Sequence, residues 1–235
     1  MATFYYNRDP KYPINVTEDT LRITPHTFTR NSNSMWEERS IKYFYDNVPR
    51  DTPVNIVDIG AQSGLYTLFA KYLPMSNFYA FEPFADTYKL LNDNIAFNNI
   101  TNVTTYNMGL SNVKGDAILN TSISHNGLHT IGSHPIRFND VLPVKINVDT
   151  LDNLFYETDT PVHFIKIDTE GWEYFILKGG EKTIKKYKPF IQIEWCEPNM
   201  AQCDVNMLEF NRYIAEQLEY KVDTKIDEEL FLRPM

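Results

Sequence analysis

The run Val54-Asn55-Ile56-Val57-Asp58-Ile59-Gly60-Ala61-Gln62-Ser63-Gly64 limits what this chain can fold into more than any other stretch. Val54 to Ile59 form a short apolar run that reads as a buried parallel strand, and Gly60 and Gly64 stand where such a strand turns into a helix beginning near Leu65. Glycine permits φ > 0 and close backbone approach, and the helix that follows presents unpaired N–H groups at its start. The stretch is therefore a ligand-binding turn. Its spacing, D-x-G-x-x-x-G, matches neither the dinucleotide pattern G-x-G-x-x-G nor the phosphate loop G-x-x-x-x-G-K-[ST]. Ser63 falls one place too late for the nucleophile elbow G-x-S-x-G.

A second apolar run, Phe78-Tyr79-Ala80-Phe81, ends in Glu82-Pro83. In a doubly wound sheet, an acid at the end of the second strand can accept both hydrogen bonds of a ribose diol. The pair points to an adenosine-containing ligand whose other end is not a phosphate. S-adenosylmethionine, with its zwitterionic amino-acid end, meets both conditions.

Composition removes several classes. At 235 residues the chain is long enough for one full core. A formal charge of -9 argues against a duplex nucleic-acid partner, since phosphate binding rests on clustered Lys and Arg. The most basic run, Lys182 to Lys188, reads as a solvated helix end. Cys196 and Cys203 are too few and too widely spaced for a disulfide framework or a C-x-x-C zinc site, and read as reduced, partly buried thiols. No segment has the length or apolar continuity to span a membrane, and the N-terminus lacks a signal pattern. The expectation is a soluble, intracellular, cytoplasmic protein without membrane insertion.

Residues 1 to 33 show no sustained period, and Ser34 is placed to N-cap a helix over Met35 to Tyr45 with Ile41, Phe44 and Tyr45 inward. From residue 54 strands and helices alternate: strand 54–59, helix 64–73, strand 77–81, helix 84–97, strand 102–107. The second helix presents Tyr88, Leu91, Ile95 and Asn98 on one face, toward the sheet. Such alternation predicts an α/β fold with a parallel sheet and helices on both faces. Residues 109–149 break the rhythm with two strand-like runs, Ala117 to Asn120 and Leu142 to Val148, and read as an insertion that shapes a substrate pocket. A short helix at 150–156 precedes a strand from Val162 to Ile167 that ends in Asp168-Thr169-Glu170-Gly171. Helical pieces follow at 172–177 and up to Tyr187, then a strand Phe190 to Ile193 ending at Glu194, an amphipathic helix through Met207, Phe210, Ile214 and Leu218, and two closing strands at 220–223 and 229–232. The domain reading is an N-terminal extension, 1–50, followed by one catalytic domain, 51–235.

In an open α/β sheet, ligands bind beyond the C-terminal strand ends. Four predicted strands end there in acids: Asp58, Glu82, Asp168 with Glu170, and Glu194. Four at one edge favour a site over chance solvation of strand ends.

The sequence resembles the FkbM family of S-adenosylmethionine-dependent methyltransferases. The motifs that carry the resemblance are VDIGAQSGLYT (57–67), FEPF (81–84), NDNIAFNN (92–99), NMGLSNVKG (107–115), DTLDNL (149–154), KIDTEGWEYFILKGG (166–180) and KPFIQIE (188–194), in family order. Gln62-Ser63, Thr169 and Trp172 depart from the common pattern, and Trp172 is large enough to narrow a pocket. The resemblance implies a class I methyltransferase fold, Rossmann-like, with a mostly parallel seven-stranded sheet. It implies that Gly60, Ala61, Gln62, Ser63 and Gly64 hold the methionine end, Asp58 its ammonium, Glu82 and Pro83 the ribose, and Met108 and Gly109 the adenine. The implied activity is O-methyl transfer to a hydroxyl of a sugar, glycan or other small-molecule acceptor. A non-catalytic S-adenosylmethionine-binding protein and a nucleotide 2'-O-methyltransferase are the alternatives. Asp168 and Glu170 are retained against the first, and the acidic balance stands against the second.

An alcohol loses its proton as it attacks the sulfonium methyl. Candidate bases are Asp168, Glu170, Glu194, His125 and His129. Asp168 with Glu194 is the alternative as a Mg²⁺ site that acidifies the hydroxyl, and the residues leave the two open. His125, His129 and His134 are interrupted by Gly127, Gly132 and Pro135, so a substrate loop is the better reading of that segment than a zinc site. His163 reads as a packed core histidine.

Overall fold

The structure, a computed structural model of the chain, describes residues 2–5, 11–24, 27–29, 34–35, 37–122, 129–132 and 140–235. It divides into two compact units, Met1–Asn107 and Met108–Met235.

In the first unit, β1 (Ala2–Tyr5) and β2 (Pro13–Val16) pair antiparallel. The helix α1 (Glu18–Ile23) follows, N-capped by Thr17, whose side chain accepts from the Thr20 N–H. Two polar side chains of a distant helix hold this leading segment. Asn98 Nδ2 donates to the Asn15 carbonyl at 2.7 Å and Asn98 Oδ1 accepts from the Asn15 N–H at 3.0 Å, a side-chain imitation of a strand ladder. Asn94, fully buried, accepts from the Thr17 N–H at 3.1 Å and bonds Thr20. No hydrophobic period announces such contacts, which is why residues 1–33 carried no reading of secondary structure. β3 (Phe28–Thr29) and β4 (Ser34–Met35) form a second short pair. The next helix, α2 (Glu38–Asp46), starts later than Ser34 would dictate, because Ser34 and Met35 are taken by β4 and Glu37 stands at φ 56 before the first turn. Its predicted inner face, Ile41, Phe44 and Tyr45, is buried, and Tyr45 donates its hydroxyl proton to the Tyr66 carbonyl at 2.7 Å.

The predicted alternation then runs in register. β5 (Asn55–Ile59) pairs parallel with β6 (Asn77–Phe81), and β6 with β7 (Val103–Tyr106). Between β5 and β6 the expected α-helix is instead a 3₁₀ segment, Thr67–Tyr72. Residues 63–70 are all buried and only Lys71 and Tyr72 reach solvent in part, so this piece lacks the polar face of an amphipathic helix, and its i to i+3 bonds wind it tighter. The helix α3 (Ala85–Phe97) packs Leu91 on Ala61 and Ala80, with Tyr88 and Ile95 against the same cluster. Asn98, read as facing the sheet, is the clamp on β2 described above.

In the second unit the insertion forms its own sheet: β8 (Gly109–Leu110) parallel to β10 (Val141–Asp149), and β10 antiparallel to β9 (Gly115–Ser122). The 150–156 helix is a π segment, Asp152–Tyr156. The Asp152 carboxylate accepts from the Thr183 N–H and Oγ1, both at 2.8 Å, and so caps a helix thirty-one positions away. β11 (Phe164–Ile167), α4 (Glu173–Gly179), α5 (Glu181–Tyr187) and β12 (Phe190–Glu194) follow as predicted within a few residues. β11 and β12 are parallel and buried throughout, the mark of strands covered on both faces. His163 is exposed just ahead of β11, contrary to the core reading, because the strand begins one residue later.

The helix α6 (Glu197–Gln202) had no counterpart in the sequence reading. The last predicted helix is α7 (Met207–Arg212) continued by a π segment, Tyr213–Gln217. β13 (Tyr220–Ile226) and β14 (Glu229–Pro234) close the chain, with β14 antiparallel to both β12 and β13. The mostly parallel seven-stranded sheet is that of an α/β, class I methyltransferase fold. Neither Cys196 nor Cys203 is in a disulfide, and both are buried. Among the described residues, no helix is long and apolar enough to cross a membrane.

Candidate functional site

The glycine turn is built by β6 as much as by its own residues. Gly60, at φ 78, and Ala61 both donate their N–H to the Phe81 carbonyl, at 3.0 and 2.9 Å. Gln62 follows at φ 50, and its N–H donates to Glu82 Oε2 at 2.9 Å. Glu82 Oε1 accepts from the Phe84 N–H and from Thr87 Oγ1, both at 2.8 Å. Glu82 therefore ties the turn to the start of α3, and a ribose diol would share a carboxylate that already accepts three hydrogen bonds. Asn107 Nδ2 donates to the carbonyls of Glu82 and Pro83, at 2.9 and 3.1 Å.

Of the predicted cofactor residues in this unit, Gly60, Gln62 and Pro83 are half-buried, while Glu82 is 6% exposed. Asp58, Ala61, Ser63 and Gly64 turn inward. Asp58 is 1% exposed and its Oδ2 accepts from Thr67 Oγ1 at 2.6 Å, which places it beneath the turn as a brace. Ser63 is fully buried and its hydroxyl meets Thr24 Oγ1 at 3.1 Å, while Thr27 Oγ1 donates to Gln62 Oε1 at 2.7 Å. The leading segment is thus a direct support of the turn. Thr87 was missed by sequence reasoning, and Asn94 and Asn107 were visible only as letters of the motifs, their roles coming from the geometry. Met108 is half-buried, and Gly109 lies in β8 against Val148 and Ile146.

In the second unit, Asp168, Glu170 and Glu194 are brought together, with one carboxylate oxygen from each within 4.8 Å of the others. The turn that follows β11 does this by a strained path: Glu170 at φ 56, then Gly171 at φ 104. A side chain at Gly171 would stand 2.0 Å from the Asn199 carbonyl oxygen, so only glycine lets α6 pack this close. The Glu170 carbonyl is held by Thr130 Oγ1 at 2.8 Å and Gln202 Nε2 at 2.7 Å. Beneath the turn, the fully buried Glu173 accepts at Oε1 from the Thr169 N–H (2.7 Å), Thr169 Oγ1 (2.9 Å) and the Gly171 N–H (3.3 Å). Glu173 was visible only as a letter of the motif, and its role comes from the geometry.

Negative charge dominates here. Lys166 Nζ lies 3.3 Å from Asp168 Oδ2. Burial, then the charges of Asp168, Glu170 and Glu173, push Glu194 well above the usual carboxylate range. Burial chiefly raises Glu173, to about 7. Burial also pushes the Cys203 thiol up to about 12, which keeps it unreactive as a thiolate. Asn199, from α6, donates Nδ2 to Glu170 Oε2 at 2.8 Å and to both Glu194 oxygens at 2.9 and 3.1 Å. His129 is half-buried next to Thr130, whereas His125 and His134 lie outside the described residues. Trp172 is half-buried, stacked on Phe175 at 4.1 Å, with its indole N–H donated to Ser111 Oγ at 3.1 Å.

Comparison with known proteins identifies the family. A protein from Beauveria bassiana (strain ARSEF 2860) called Methyltransferase 1 is 27% identical over 153 residues, which are 57% of this chain and 61% of that protein. The crystal structure of a Methyltransferase FkbM from Methylobacillus flagellatus KT superposes with a TM-score of 0.54 at 17% identity, covering 91% of this chain and 60% of that one. A SAM dependent methyltransferase from Aquifex aeolicus gives a TM-score of 0.50 at 13% identity, covering 93% of this chain and 100% of that one. The chain thus spans about three-fifths of the length of the first two. Residues 58–222, most of the chain and both acid-bearing turns, match the Methyltransferase FkbM domain, and the chain belongs to that methyltransferase family.

Proposed function

We propose that this protein is an S-adenosylmethionine-dependent O-methyltransferase whose acceptor is a hydroxyl of a sugar or glycan. The observation that carries the reading is the convergence of Asp168, Glu170 and Glu194 on a turn that the protein strains and braces to hold them there. Residues 51–235 are the catalytic domain in this reading, with 109–149 shaping the acceptor pocket and the leading residues bracing the cofactor turn.

The residues fit S-adenosylmethionine. Gly60 to Gly64 make a turn without phosphate-binding residues, and Glu82 stands fixed at the end of β6, where a ribose hydroxyl can add to the bonds it accepts. When bound, the cofactor supplies an electrophilic methyl on a sulfonium. In this reading Gly60 to Gly64 and Glu82 would hold the cofactor, and Asp168, Glu170 or Glu194 would take the proton that the acceptor hydroxyl gives up. Alignment of the two reactants can contribute ~7 to 11 kcal/mol of the barrier reduction. Asp168, with a side chain 26% exposed where Glu194 is buried, is the acid we assign to receive that proton. The fixed indole of Trp172 offers an apolar face that suits the C–H face of a sugar ring.

The test is methyl transfer from trideuteromethyl-labelled S-adenosylmethionine to a panel of free sugars, glycosides and oligonucleotides, read by mass spectrometry. Labelled methyl ethers on sugars support the proposal. Label only on oligonucleotides favours the 2'-O reading, and cofactor binding with no transfer to any acceptor in the panel favours the non-catalytic one.

A further inference from the structure

Away from the acid turn, the second unit has a groove between its last helical segment and the edge strand β13, a cavity of about 410 Å³. Ile214 and Ala215 line it from the helical side, and Val222 on β13 and Leu230 on β14 line it from the sheet side. Ile214 and Leu230 are buried, whereas Val222 is 53% exposed, so the groove is an apolar surface that solvent reaches. Its volume lies in the range of small-ligand sites, about 300 to 1,000 Å³.

The polar groups around it narrow the choice of ligand. Tyr220 donates its hydroxyl proton to the Pro189 carbonyl at 2.8 Å, and Asn211 Oδ1 accepts the Trp195 indole N–H at 3.0 Å. These groups serve the fold, and a polyhydroxylated ligand would find few partners here. The charges on the rim are two ammonium groups, Lys221 near the start of β13 and Lys225 toward its end, four strand positions or about 13 Å apart. Neither is ion-paired with a carboxylate among the described residues, and Lys225 Nζ stands 4.1 Å from the centre of the Trp195 ring instead. Lys182, Lys185 and Lys186 of the same unit, by contrast, each meet an acid. In a chain of net charge -9, an apolar groove with two such lysines on its rim complements an apolar molecule that carries an anion.

We infer that this groove binds a long-chain fatty acid, with the alkyl chain along Ile214, Val222 and Leu230 and the carboxylate at one of the two lysines. An unbranched chain suits a narrow course between a helix and a strand, and a single anion suits a rim whose charges stand at the ends of that course. None of Asp168, Glu170 and Glu194 lines the groove, so the site is independent of the function proposed above.

The experiment is calorimetric titration of delipidated full-length protein with octanoate, decanoate and dodecanoate, and with dodecyltrimethylammonium as the cationic control. The expected result is one saturable site per chain that tightens about tenfold with each added pair of methylenes. The cationic control should bind at least about tenfold more weakly than dodecanoate. Val222→Asp, and the pair Lys221→Glu with Lys225→Glu, should each weaken dodecanoate binding about tenfold or more. Lys145→Gln, on β10 and paired with Asp116, should leave it unchanged. Thermal melts identify any variant that has unfolded, and the other groove variant then decides. No saturable binding of dodecanoate up to millimolar concentration, affinity that ignores chain length, equal affinity for the cationic control, or binding that folded groove variants leave unchanged each overturns the inference.

Discussion

Glu173→Gln is the sharpest test of how the turn after β11 is held. Glu173 is fully buried, and its carboxyl is raised from an ordinary 4.5 to about 7, first by burial. Because the folded state binds this proton more tightly than the unfolded chain, stability is greatest below the unfolded value and is lost as pH rises toward the folded one. Over the full window of 4.5 to about 7 the loss is roughly 3 kcal/mol, at about 1.4 kcal/mol per unit. Glutamine is never charged, and its carbonyl oxygen accepts from the Thr169 and Gly171 amides as Oε1 does now. The substituted protein should therefore lack this loss. Urea unfolding of both proteins at pH 5.5 and pH 7.5 measures the difference directly, since groups remote from the turn titrate in both and cancel. Between those two pH values the variant should gain about 2 kcal/mol relative to the parent. A stability difference that does not change with pH would refute the claim that Glu173 is the buried titrating brace of this turn.

Other perturbations separate the remaining parts. Glu82→Ala removes the acceptor for Gln62, Phe84 and Thr87 and should weaken S-adenosylhomocysteine binding at least about tenfold by calorimetry, with unchanged affinity contradicting the cofactor assignment. Asp168→Asn should lower turnover much more than cofactor affinity, and an unaffected rate removes it from the reaction. Asn98→Ala should cost about 1 to 3 kcal/mol and speed hydrogen exchange in Pro13–Val16, where protection at the parent's level would show that β2 is held otherwise. Gly171→Ala, at φ 104 and with its new Cβ 2.0 Å from the Asn199 carbonyl oxygen, should cost about 3 kcal/mol or more in a thermal or urea melt.

What the sequence disclosed follows from how each part is stabilised. β5, β6, β11 and β12 are apolar runs bounded by turn residues, and hydrophobic burial leaves a pattern that can be read locally. The acids at their ends were legible for the same reason, since a carboxylate after a buried strand stands out. The parts that stayed hidden are held by polar contacts between residues far apart. Asn94 and Asn98 secure a segment about eighty positions earlier, and Asp152 caps α5 from outside it. Asn199 reaches the acids from α6, a six-residue helix with Pro198 inside its first turn and no repeating apolar face to reveal it. The inward orientation of Asp58 and Ser63 is likewise a fact of packing: the same letters would suit a residue facing a ligand or one bracing a turn.

The central claim, an S-adenosylmethionine site built on the Gly60–Gly64 turn and Glu82, is tested most directly by calorimetric titration of the purified protein with S-adenosylhomocysteine beside Glu82→Ala. The account predicts saturable binding of one molecule per chain that the substitution weakens at least about tenfold. No heat of binding in the parent protein, under conditions where it is folded, would contradict it.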